Sequence, residues 1–178
     1  MADTIRSLSE LNSLLGDNTI GGVSEQDIRD LMVSQMVHGE IGSGSKTSVL
    51  LGASWQGLDF DVAGVFERGL NADTTNKWIH QIPVDMKAVL SMEVFFKGDV
   101  GQDYDFTVFK DPTGTPSNVS RMQRTGFRVL NADQTIHASW SVGVQLNQND
   151  VLQPAVRSNS NNFELLFGLF RVQRIGVE

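Results

Sequence analysis

The chain contains no cysteine. That one absence excludes a disulfide framework, a thiolate zinc site and a thiol nucleophile. Stability has to come from burial or from association of subunits, not from covalent staples. Long apolar runs are missing too. None approaches the ~20 residues of a membrane span, and the opening MADTIRSLSE lacks the apolar stretch of a signal peptide. The expectation is a protein made in a cytoplasm and not exported by the ordinary route. Positive charge is also in deficit. Against 21 acidic side chains stand 14 basic ones, a net charge of −7, whereas non-specific nucleic-acid affinity comes from clustered Lys and Arg. The expected partner is another protein, with no nucleic acid and no membrane.

Catalytic signatures are absent as well. His38, His80 and His137 show neither HxH nor HExxH spacing, so no two are set to share a metal. No G-x-S-x-G elbow presents a serine. GEIGSGS has glycines but no Gly-Lys-Thr and no strand-to-helix context, so it is a poor phosphate loop. Asp59 with Asp61, and Asp103 with Asp105, are spaced by two and would share a strand face. A calcium site or acid pair could use that, yet neither stretch matches the Gly-assisted loop that gathers several oxygens. Solvated strand edges that discourage pairing are the simpler reading. NVS at 118–120 fits a glycosylation acceptor in form only. Arg121, Arg124 and Arg128 form a basic cluster suited to an acidic patch on a partner. Trp55, Trp78 and Trp140 read as core or interface, with Trp55 in GASWQGLD left open as a sugar platform. No catalytic residue, cofactor or metal is expected, and no enzyme.

What is present is an ordinary globular composition. The 178 residues are 40% apolar and 20% charged, enough for one domain with a hydrophobic core and an extension. Two short helices are predicted first. In SLSELNSLLGDN, Ser7 and Glu10 have capping-box spacing, Leu8, Leu11, Leu14 and Leu15 share a face, and Gly16 supplies the stop. In GGVSEQDIRDLMVSQM, Ser24 is the N-cap and Asp27 suits the helix dipole. Val23 and Ile28 stand at staple positions, and Ile28, Leu31, Met32 and Met36 form the stripe. Gly39 would end this helix with His38 in its last turn. Neither helix exceeds about a dozen residues, so each needs a surface to lie on.

GEIGSGSK (39–46) reads as a linker, and beyond it the apolar period changes to two. Ile136, Ala138, Trp140, Val142, Val144 and Leu146 alternate without a break; Met92, Val94 and Phe96, and Tyr104, Phe106 and Val108, do the same. The turns KGDVGQD, DPTGTPSN, LNADQT, LNQND and RSNSNN separate about eight to ten strands. The predicted fold is mainly β: a single antiparallel jelly-roll sandwich, residues 46–178, preceded by a helical N-terminal arm and linker, residues 1–45. The last strand, FELLFGLFRVQRI, differs from the others. Phe163, Leu165, Phe167 and Leu169 lie on one face and Leu166, Phe170 and Val172 on the other. A strand apolar on both faces must be covered on both, by a neighbouring subunit or by the chain's own arm.

The stretch TIHASWSVGVQLNQNDVLQPAVRSNSNNFELLFGLFRVQRIG resembles the C-terminal half of tumour-necrosis-factor-like jelly rolls, and TTNKWIHQIPVDMKAVLSMEVFFKG is similar to their earlier strands. That family forms compact trimers with aromatic residues of the final strand near the three-fold axis. GGVSEQDIRDLMVSQM resembles a helical segment that precedes β-rich domains in structural proteins of tailed phages. Together these resemblances imply a homotrimeric virion protein of the capsid decoration (cement) type, located on the capsid surface. The major capsid protein would be its partner; tail proteins or a host surface receptor are the alternative, for a receptor- or glycan-binding tail-fibre or baseplate module. On this reading Leu8, Leu11, Leu15, Ile28, Leu31 and Met32 anchor the arm to the capsid, and Phe163, Leu165, Phe167, Phe170 and Trp140 form the trimer interface.

Overall fold

Strand periodicity of two puts alternate side chains on one face, and two such faces make a sandwich. A computed structural model describes residues 4–7, 10–11, 13, 24–35, 37–44, 54–58, 60, 62–63, 70–73, 78–80, 82, 84–111 and 121–175. Among the described residues, Glu10, Leu11 and Ser13 are helical, and a helix, α1 (Glu25–Gln35), precedes β1 (His38–Ser43). Four short strands follow: β2 (Gln56–Gly57), β3 (Val62–Ala63), β4 (Asn71–Asp73) and β5 (Trp78–His80). The long ones are β6 (Met86–Gly98), β7 (Asp103–Asp111), β8 (Arg121–Arg128), β9 (Ile136–Leu146), β10 (Val151–Ser158) and β11 (Phe163–Arg174). They form two antiparallel sheets, β3-β1-β11-β6-β9 and β4-β5-β10-β7-β8, with β2 also pairing with β10. The mainly-β jelly roll is as expected. The surplus over ten strands comes from elements of two or three residues, too short for any period to show.

The inward positions are the ones that alternation marked. Met92, Val94 and Phe96, then Tyr104, Phe106 and Val108, are all buried. Phe96 joins the layers, with ring centroids 5.2 Å from Tyr104, 5.1 Å from Phe106 and 5.5 Å from Phe163. At one end of the sandwich the turns are tied together. The Tyr104 hydroxyl donates to the Asn162 carbonyl at 2.6 Å and accepts from the Asp99 N–H at 2.8 Å. Asp99 accepts from Asn162 Nδ2 at 2.7 Å and from the Ser160 hydroxyl at 2.5 Å, and these bonds hold its carboxyl below the usual range.

Two expectations fail here. Residues 39–43, read as linker, lie in β1, which pairs with β11 from His38↔Gln173 to Ser43↔Gly168. His38 is therefore a strand residue, and the sandwich begins before residue 46. The glycines serve close approach, not flexibility. A Cβ on Gly39 would come within 2.7 Å of Leu70 Cβ, and one on Gly42 within 2.7 Å of the Gly168 carbonyl oxygen. The second correction concerns β11. Its pairing with β6 slips between Leu165↔Phe96 and Phe167↔Phe95, a β-bulge with Leu166 as the extra residue. The bulge shifts the phase, so Phe163, Leu165, Gly168, Phe170, Val172 and Arg174 are all buried, while Phe167, Arg171 and Gln173 are exposed. What read as two apolar faces is mostly one inward face with a step in it.

The helix turns a polar side to the rest of the chain and leaves Ile28 and Met32 of its apolar stripe outward. Ser24 and Asp27 form a reciprocal capping box, Ser24 N–H to Asp27 Oδ2 at 2.9 Å and Asp27 N–H to Ser24 Oγ at 3.1 Å. Ser7 and Glu10 form the same device. Asp30 and Ser34, one turn apart, are fully buried, whereas Ile28 and Met32 are 50% and 58% exposed. The buried pair grips the N-terminal segment. Asp30 accepts from the Thr4 N–H at 2.8 Å, from Arg6 Nε at 2.7 Å and from Gln26 Nε2 at 2.7 Å; Ser34 Oγ accepts from the Arg6 N–H at 2.7 Å. Ile5 packs on the core between them. From the end of β11, buried Arg174 donates to the Ser34 carbonyl at 2.6 Å and to the Arg6 carbonyl at 3.3 Å. Leu8, Leu15, Val23, Met36, Asp59, Asp61, NVS and residues 112–118 of DPTGTPSN lie outside the described residues.

Phe96→Ala should destabilise the fold by about 3–5 kcal/mol, seen as a lower urea midpoint, because it empties the junction of both sheets. The Asp30 carboxyl is held low by the Thr4 N–H first, then by the Gln26 amide and Arg6. A depressed carboxylate stabilises the fold above its unfolded pKa of about 4 and loses that contribution as pH falls through the folded value. Asp30→Asn should therefore flatten part of the fall in Tm between neutral pH and the acid range, the remainder belonging to groups such as Asp99. An unchanged acid slope contradicts the clamp.

Candidate functional site

Two surfaces display exposed apolar side chains in a group, while Val100 and Leu130 stand exposed in turns and Ile175 just after β11. The first is the outer face of the β3-β1-β11-β6-β9 sheet. Register places Phe167 beside Phe95, and Phe95 beside His137 on β9. Phe167 is 41% exposed and meets Phe95 edge-on at 6.1 Å. His137 stacks on Phe95 at 4.2 Å with rings nearly parallel, and its Nε2 lies 3.2 Å from Glu93 Oε1. Half-buried Leu169 continues the apolar patch. Its far side is polar, with Arg171 Nε donating to Glu40 Oε2 at 3.1 Å. An outer sheet face facing only water would carry few such aromatics.

Of the residues expected at a trimer interface, only Phe167 is on this face. Phe163, Leu165 and Phe170 are 1% exposed or less and belong to the chain's own core. Their place is fixed by the bulge, which turns Phe170 to the same side as Phe163. Trp140 also faces inward, opposite Met92 on the edge strand β9, and packs half-buried on the core. Its buried indole N–H meets no acceptor among the described residues. Sequence reasoning missed Phe95 and His137, because the cluster exists only through the pairing of β6 with both neighbours.

The second surface is the outward side of α1, where Ile28 and Met32 stand one turn apart. Leu31 is half-buried, and Leu11, expected at the capsid, is 2% exposed and withdrawn into the molecule. Asp103 and Asp105 point the same way, as their spacing implied, and line a groove on the outer face of the second sheet with Arg128. Among the described residues no group of three potential metal ligands comes together, and no helix is long and apolar enough to cross a membrane.

No protein-family model matches the sequence, and no curated protein does. Solved structures match the fold. Eiger TNF from S. frugiperda superposes with a TM-score of 0.58 at 10% identity, over 81% of this chain and 96% of that one. Murine APRIL at pH 8.0 gives 0.54 at 15% identity, over 76% and 98%; its pH 8.5 structure gives 0.52 at the same identity and coverage. In fold, the chain is a tumour-necrosis-factor-like jelly-roll sandwich.

Proposed function

We propose that the protein is a non-enzymatic structural component of a phage particle, a homotrimeric decoration protein on the capsid surface, fastened through its N-terminal region to the major capsid protein. The observation that carries this reading is the orientation of α1. A helix that buries Asp30 and Ser34 and displays Ile28 and Met32 is held in place by polar bonds and offers an apolar ridge to something else. The capsid surface is the proposed occupant. Trimerisation is supported by the jelly-roll fold and by the Phe95–Phe167–His137 cluster, whose burial against a second copy would remove an aromatic patch from water.

Phe167→Asp should leave the sandwich folded and shift the mass in light scattering from three 19.6 kDa chains towards one, because an interfacial carboxylate without a partner is costly to bury. Phe170→Asp should unfold the chain instead, since its site is the core. A Phe167→Asp variant that stays trimeric contradicts the proposed interface. Ile28→Asp combined with Met32→Asp should keep the trimer and weaken binding to undecorated capsids at least about tenfold. Equal saturation of capsids by this variant removes the anchoring ridge. Immunogold labelling of intact particles should mark heads; label at the tail tip shifts the reading to receptor binding.

A further inference from the structure

We infer that the outer face of the β4-β5-β10-β7-β8 sheet holds a binding site for a carboxylate-bearing saccharide. The site goes beyond anchoring and trimerisation, since it is built from one chain and needs neither a particle nor a neighbour. It is a groove of about 670 Å³, within the size range of small-ligand sites.

Register builds it. Asp105 on β7 lies between Gly126 on β8 and Arg157 on β10, and Asp103 lies beside Arg128 one step further along. Arg157 is locked: its Nη2 donates to Asp105 Oδ2 at 2.8 Å, and its guanidinium carbon sits 4.7 Å from the centroid of the Trp55 ring. Trp55 in turn packs edge-on against Phe109 at 5.8 Å. Around that contact the outer face is closed, with Thr107 and Phe109 buried although both lie on the outward phase. Beyond Arg157 it opens. Gly126 leaves the floor bare, and even a Cβ there would come within 2.9 Å of Asp105 Oδ1.

Charge selects the ligand class. Asp105 is already matched by Arg157, whereas exposed Asp103 and Arg128 flank the bare floor and form no ion pair among the described residues. The planar fork of Arg128 suits bidentate capture of a carboxylate. Asp103 accepts from hydroxyls, and the Asn159 amide both donates and accepts. Two carboxylates in the walls repel a dense polyanion, so a hydroxylated ring with a single acidic group is the better fit. The site is also well placed. It adjoins the turns at 98–103, 128–136 and 158–163, the opposite end of the strands from Arg174 and α1. A chain fastened by α1 would point this groove outward.

Isothermal titration of the purified full-length protein tests this, with N-acetylneuraminic acid and galacturonic acid as ligands. Galactose is the neutral control, and acetate and sulfate are the bare-anion controls. At least one acidic saccharide should bind saturably, at least about tenfold more tightly than any control. Arg128→Ala should weaken it by a similar factor, and Gly126→Leu should abolish it by filling the floor, both with unchanged circular dichroism. If Gly126→Leu disturbs the fold, Asn159→Ala replaces it and should weaken binding. Three results overturn the site: no saturable binding up to about 10 mM, beyond the millimolar range of weak specific binding; equal binding of a control; or affinity unaffected by the variants.

Discussion

One irregularity in one strand governs both ends of this molecule. β11 runs through the middle of its sheet, paired with β1 on one side and β6 on the other. Unbroken alternation from Phe163 would bury Phe167 and turn Arg174 outward. The extra residue at Leu166 reverses that assignment for everything after it. Phe167 thereby joins Phe95 and His137 on the outer face, while Arg174 turns inward to reach the carbonyls of Ser34 and Arg6. The aromatic patch and the helix clamp are two consequences of the same inserted residue.

The clamp explains why a helix can sit with its polar side buried. An unpaired buried carboxylate is strongly unfavourable, but Asp30 accepts from a backbone N–H, an amide and a guanidinium, and Ser34 is used through both its hydroxyl and its carbonyl. Directional bonds of this kind fix the rotation of α1 about its axis more tightly than apolar packing does. With the rotation fixed, Ile28 and Met32 must face outward. The apolar ridge therefore follows from the polar contacts beneath it.

Much of this was legible in the amino-acid order. Alternation marked the inward side chains of β6, β7 and β9, and the spacing of Ser7 with Glu10 specified a capping box. What could not be read depends on strand neighbours. Gly39 and Gly42 looked like a linker because composition does not reveal that Leu70 and the Gly168 carbonyl crowd them. Leu165, Leu166 and Phe167 looked like two apolar faces because a bulge is defined by its partner strand, here Phe95 and Phe96. The stripe of α1 was visible as a face, but helical period does not reveal that Asp30 and Ser34 form the side that meets the rest of the chain. Asp103 and Asp105 were visible as a pair, yet the link from Asp105 through Arg157 to Trp55 joins segments far apart in the chain.

Because the chain has no cysteine, single thiols can report the phase of β11 directly. The most direct measurement is maleimide labelling of the native protein carrying Arg171→Cys, Val172→Cys or Gln173→Cys in turn. With the bulge in place, thiols at 171 and 173 should react as surface groups and the thiol at 172 should react only after unfolding. A reactive thiol at 172 with protected thiols at 171 and 173 would mean unbroken alternation, and would remove the basis for both the aromatic patch and the clamp.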